Sequence, residues 1–159
     1  MDFDQAFQQL IYNEGGYVDN PDDPGGATCW GITERVARAN GYTGDMQSLP
    51  LDTAKAIAKA QYWDPFQCDQ FDGRIGFQVL DAAYNGGHPA QWLQQAAGAT
   101  PDGVIGPQTI AAVKAVDPLL VIMRFLASRL QYLTALSTWS DFGRGWANRI
   151  AHNLVAAAQ

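Results

Sequence analysis

Apolar side chains recur along the chain at helical spacing, in runs separated by glycine and proline, and this rhythm predicts a mainly helical protein. Phe3, Phe7, Leu10 and Ile11 form one stripe and predict a first helix over about residues 3–14, with Asp2 or Asp4 near its N-terminus favouring the helix dipole. Glu14 falls on the same stripe, and Gly15-Gly16 stop the helix. Pro21, Pro24 and Gly25-Gly26 exclude a helix from the next stretch, although Tyr17-Val18 and residues 28–32 can form a short hairpin. Thr33 is placed to cap a helix through Val36 to Asn40, ended by Gly41. Asp52 is placed to cap the next, with Ala54, Ile57, Ala58 and Tyr62 on its apolar face and Asp64-Pro65 breaking it.

In the second half, Gly76, Leu80, Ala83 and Tyr84 share a stripe that ends at Asn85-Gly86-Gly87, and its small residues leave room for another helix to approach. Pro89 can start a further helix with Trp92, Leu93, Ala96 and Ala97 inward, and Pro107 another after turns at Asp102-Gly103 and Gly106. The longest helix is expected from Pro118 to about Thr138, with Leu119, Ile122, Met123, Leu126, Leu130 and Leu133 as its stripe. Trp146, Ile150, Asn153 and Leu154 mark the last. Neither an internal repeat nor a linker interrupts the pattern, so a single globular unit over 1–159 is expected.

Composition narrows the classes. A hydrophobic content of 47% with 16% charged residues is that of a soluble globular protein. A net charge of −6 opposes binding to nucleic acid, whose phosphates would repel it. No apolar run approaches the roughly 20 residues of a membrane span, and MDFDQAFQQL lacks the regions of a signal peptide. The expectation is synthesis in the cytoplasm and no stable membrane insertion. Cys29 and Cys68, without a CxxC, indicate neither a zinc site nor a disulfide scaffold, and leave open two free thiols or one bridge. No metal or cofactor is implied. His88 and His152 have no nucleophile or acidic partner nearby in sequence.

Glu14 is one of only two glutamates, the other being Glu34. Desolvation against the apolar stripe and the negative end of the helix dipole both favour its protonated form, as a general acid requires; otherwise it is a helix-terminal glutamate reaching into water. Asp19, Asp22 and Asp23 follow on a loop that Pro and Gly fold back. Glycosidic hydrolysis needs one carboxylic acid and one carboxylate, and Asp23, polar and solvated, suits the second role or is simply a turn-former. Thr28 and Thr33 can offer hydroxyls to a water or sugar, or serve as strand and cap residues. Tyr17, Trp30 and Trp63 can stack on sugar rings or fill the core. Asn85 can hydrogen-bond an N-acetyl or hydroxyl group, or act as a left-handed helix cap.

These residues fall into a wider pattern. Glu14-Gly15-Gly16-Tyr17, then Pro21-x-Asp23-Pro24-Gly25-Gly26-x-Thr28, then Gly31-Ile32-Thr33 resemble the N-terminal signature of glycoside hydrolase family 108, bacterial and phage N-acetylmuramidases. The likeness continues through residues 54–64, 79–87 and Trp92-Leu93-Gln94, and Asp102-Gly103-Val104-Ile105-Gly106-Pro107 resembles the peptidoglycan-binding segment that follows in such proteins. The resemblance implies a lysozyme-like helical fold with at most a short β-hairpin, a catalytic lobe over 1–87 and a helical lobe over 88–159. It implies cleavage of the β-1,4 bond between N-acetylmuramic acid and N-acetylglucosamine in peptidoglycan, with Glu14 as catalytic acid and Asp23 as second carboxylate. Tyr17, Thr28, Trp30, Thr33 and Asn85, singled out by their residue types, are the candidates for holding the glycan. Two alternatives stand beside hydrolysis: a lytic transglycosylase using Glu14 alone, and a non-catalytic wall-binding module. A phage endolysin and a secretion-associated muramidase both fit, each acting in the periplasm after release, and oligomeric state is not legible.

Overall fold

The computed structural model describes residues 1–13, 16–19 and 26–158. It is mainly α with a short β-hairpin, as expected. Helix α1 (Phe3–Asn13) begins with a reciprocal cap: the Gln5 N–H donates to Asp2 Oδ1 at 2.9 Å while the Asp2 N–H donates to Gln5 Oε1 at 3.0 Å. Strands β1 (Thr28–Cys29) and β2 (Ile32–Thr33) lead into α2 (Glu34–Ala39). Thr33 caps α2 as expected, its Oγ1 accepting from the Val36 N–H at 3.3 Å, and Gly41 follows at φ +85°. Helix α3 (Leu51–Ala58) departs from expectation at its start. Pro50 occupies the cap and Asp52 lies in the first turn, because proline's fixed φ and carbonyl already launch the helix. Beyond Ala58 the chain widens into a π-turn over Lys59–Trp63 before Asp64-Pro65 end it.

Helix α4 (Gly73–Asn85) is the axis of the molecule, with all residues from Ile75 to Ala82 buried. A helix buried on every side needs partners on every side, and α4 meets α1, α5 (Pro89–Ala97), α7 (Pro118–Thr134) and α8 (Trp139–Ala157). The space at Gly76 is taken by an indole rather than by a helix: a Cβ there would lie 2.9 Å from the Trp63 ring. Prolines begin α5, α6 (Pro107–Lys114) and α7 as expected. The inward face of α7 is Val121, Ile122, Phe125, Leu126 and Arg129, whereas Leu119 and Met123 are exposed, and the helix ends at Thr134 rather than Thr138. On α8, Ile150 and Asn153 face inward as expected but Leu154 is exposed, and Ala156 replaces it in the core.

The α5–α6 loop is built around Gln94, whose side chain is fully buried. Its Nε2 donates to Asp102 Oδ1 at 2.6 Å, the Val104 carbonyl at 3.0 Å and Thr109 Oγ1 at 3.1 Å, and its Oε1 accepts from the Gly103 N–H at 2.9 Å. Gln67, left-handed at φ +50°, reaches across to donate to the Ile105 carbonyl. One buried apolar cluster runs from Phe3 to Ala157. Among the described residues no helix is long and apolar enough to cross a membrane.

Candidate active site

The hairpin forms at a different place from the one the sequence suggests. Thr28 pairs with Thr33 and Cys29 with Ile32, so the turn is Trp30-Gly31, and Val18 adds only a single bridge to Thr28, with backbone bonds of 2.8 and 2.7 Å. Trp30 and Gly31 both have positive φ, +53° and +75°, as a two-residue turn matched to strand twist requires. A tryptophan rarely adopts that backbone. Here it is held from two sides: the indole N–H donates to the Leu49 carbonyl at 2.9 Å, and the Tyr84 hydroxyl donates to the Trp30 carbonyl at 2.7 Å. Gly31 is required twice over, by its φ and by Tyr84, whose ring would lie 2.4 Å from any Cβ.

Strand alternation then sorts the side chains. Cys29 and Ile32 point into the core, while Thr28 and Thr33, opposite one another, share the other face and are half-buried. Thr33 Oγ1 also serves the α2 cap, and the indole N–H of Trp30 is engaged, so Trp30 offers ring surface alone. Tyr17 is exposed next to Val18. Partial desolvation raises its phenol above the ordinary tyrosine range, and the charge and hydrogen bond of Asp19, with Asp45 and Glu34 beyond, push the same way. Glu34 pairs with Arg38 at 2.8 Å and lies against Gly26, which takes φ +75°. Glu14, Asp22 and Asp23 lie outside the described residues. Their described neighbours are the last turn of α1 and the Val18–Thr28 bridge, which joins the chain on the two sides of residues 20–25.

Asn85 is the last residue of α4 and is exposed; its Nδ2 donates to the Asp81 carbonyl at 2.8 Å, and the positive-φ position beyond the helix belongs to Gly86 at φ +83°. Trp63 does not join the site. It is 1% exposed, with its N–H donating to Asp69 Oδ1 at 2.8 Å and its ring edge-on to Phe3, because the π-turn swings it beneath α4. Cys29 and Cys68 are both buried free thiols, and burial pushes both above the ordinary thiol range.

Asn85, Gly86 and Gly87 form one wall of a pocket of about 140 Å³, closed by Tyr132, Leu136 and Trp146. Leu133, Arg129 and Arg149 complete its lining, and both arginines converge on Asp81 beneath it. Asp81 is 1% exposed; it accepts from Arg129, from Arg149 Nε at 2.9 Å and from Asn153 Nδ2 at 2.9 Å. Burial alone would push this carboxyl up, but the two guanidinium groups and the hydrogen bonds outweigh it and hold the carboxyl below its usual range. This network ties α4 to α7 and α8 at the pocket floor. Sequence reading misses it, since the partners lie 48 to 72 residues from Asp81 and carry no local pattern with it. Among the described residues no three His, Cys, Asp or Glu side chains gather as a metal site would require.

Residues 7–87 match the family model described as Glycosyl hydrolase 108, and residues 88–151 match the one described as Predicted Peptidoglycan domain. The two segments meet between Gly87 and His88, at the rim of the pocket. Among solved structures the chain is similar to Brucella abortus SagA, with 33% identity and a TM-score of 0.87 over 98% of this chain and 93% of that one. No curated protein matches.

Proposed function

The chain belongs to the glycosyl hydrolase 108 family, and from that premise we propose that it is an N-acetylmuramidase, hydrolysing the β-1,4 bond between N-acetylmuramic acid and N-acetylglucosamine. Its partner is peptidoglycan, and it is a glycoside hydrolase. In the proposed reaction Glu14 protonates the glycosidic oxygen as the bond breaks. Asp23, as carboxylate, deprotonates the attacking water or stabilises the oxocarbenium-like charge on the sugar. Tyr17, Thr28, Trp30, Thr33 and Asn85 hold the glycan, the threonines through hydroxyls on one strand face and the aromatics through their rings. The reaction takes place on the wall, in the periplasm.

The observation that carries this reading is the arrangement around the Val18–Thr28 bridge. It pairs Val18 with Thr28, while Tyr84 fastens the hairpin turn to the end of α4. The hairpin that carries Thr28, Trp30 and Thr33 is thus braced from two sides, within the segment matched to the glycosyl hydrolase family. The test is turbidity clearing of outer-membrane-permeabilised Gram-negative cells by wild type and Glu14→Gln, with folding checked by thermal melts. Glutamine keeps the shape but donates no such proton, so the rate is expected to fall by a factor of about 10² to 10⁴. Equal clearing by the folded variant removes Glu14 from the role of acid. Mass spectra of the fragments must show hydrated reducing ends; anhydro ends identify a lytic transglycosylase instead.

A further inference from the structure

Helix α8 carries an aromatic strip that the core does not use. Trp139, Phe142 and Trp146 stand at i, i+3 and i+7 and so share one face. The Phe142 and Trp146 rings are 5.8 Å apart, those of Trp139 and Trp146 6.1 Å, with planes tilted by 36° and 46°. Phe142 is 57% exposed and the two indoles are half-buried, while Ile150, Asn153 and Ala156 supply the inward contacts further along the helix. Between them lies Gly143, in a helix interior where glycine costs about 1 kcal/mol relative to alanine. A Cβ at Gly143 would lie 2.6 Å from the Trp139 indole. The glycine lets that ring lie flat on the helix backbone. At the other end Trp146 lines the pocket bounded by Asn85, Gly86 and Gly87, so the strip is continuous with it.

We infer that Trp139, Phe142 and Trp146 form a stacking platform for sugar rings of the peptidoglycan glycan strand, extending its grip from the pocket outward along α8. A pyranose has apolar C–H faces and a polar rim, which suits exposed ring faces with polar neighbours. Asp141 and Arg144, both exposed, flank Phe142 in the chain. The occupant is named by position: the strip lies within the segment that matches the Predicted Peptidoglycan domain. The inference rests on peptidoglycan being the substrate, and it names where beyond the cleaved bond the strand is held.

The test is co-sedimentation with purified sacculi in the Glu14→Gln background, which keeps the particles intact. Phe142→Ala is expected to weaken retention about tenfold. Gly143→Ala, which displaces the Trp139 ring without removing it, is expected to weaken it about fivefold. Phe142→Tyr keeps the ring and is expected to stay within about twofold of the parent. Full retention by Phe142→Ala or Phe142→Leu overturns the platform, the latter by showing that apolar coverage suffices. If wild type sediments as a dimer in solution and Phe142→Ala as a monomer, the strip is a self-association face and the inference is overturned. Failure of the parent itself to bind sacculi overturns the substrate reading as well, whereas binding by parent and variants alike overturns only the platform.

Discussion

Replacing Asp81 by asparagine tests the network beneath the pocket. The carboxyl is 1% exposed and Arg129 is 3% exposed, so removing the negative charge leaves a guanidinium buried without its counter-ion. The amide also turns one acceptor into a donor, facing partners that are all donors: Arg129, Arg149 and Asn153. Breaking a buried pair on one side costs about 3–5 kcal/mol. With about 2 kcal/mol per molar urea, a loss near the middle of that range moves the unfolding midpoint down by about 2 M. In a thermal melt it lowers the midpoint by about 12 °C. Asp81→Asn with Arg129→Met removes the more deeply buried pair and leaves Arg149 facing an amide, so it is expected to recover part of the loss, since the penalty belongs to the stranded partners. The sign of the pH dependence follows from the depressed carboxyl. Its contribution is complete above its unfolded value, about 3.9, and drains away as pH falls through the lower folded one, so wild type loses an acid-side stability that Asp81→Asn never has. A midpoint for Asp81→Asn within about 0.5 M urea of wild type at pH 7 would refute the reasoning.

Two further outcomes are expected. Gly31→Ala meets both a positive φ and the Tyr84 ring, so it should cost about 2–3 kcal/mol and lower clearing activity with it; a thermal midpoint unchanged to about 2 °C would mean the hairpin turn relaxes freely. Cys29 and Cys68 are buried and their thiols pushed up, so a thiol reagent at pH 8 should titrate neither in the native protein within minutes and both in urea; rapid native labelling of either would contradict the burial.

Helix starts were legible because their signals are local. Proline at Pro89, Pro107 and Pro118 and the hydroxyl of Thr33 act within a turn of where they stand. The hairpin was not, since its turn uses a tryptophan where Asn-Gly is the usual signal, and what holds it comes from Leu49 and Tyr84, 19 and 54 residues away. The α7 stripe was misjudged for a related reason: Arg129 faces inward, and a charged residue on the buried side disguises the period. Trp63 read as a stacking candidate because nothing near it in sequence announces the π-turn that buries it. The pairing of Thr28 with Thr33 puts two of the candidate residues on one face, while Asn85 reaches the pocket rim through the length of α4.

The convergence on Asp81 also dictates an order of events while the chain is being made. Its carboxyl leaves the ribosome well before the residues that neutralise it, and Asn153 follows it by 72 positions. At about 5–20 residues per second, that interval lasts roughly 4–14 s. During it α1 and the turns at Lys59–Trp63 and Cys68–Gln70 can already lie along α4, and α5 and α7 follow, but the face that α8 covers stays open, where water keeps a free carboxylate soluble. The last step of assembly therefore waits for two guanidinium groups from the final third of the chain. Docking of a segment that brings no cation to that face would bury the carboxylate unpaired, at a cost that the two arginines remove.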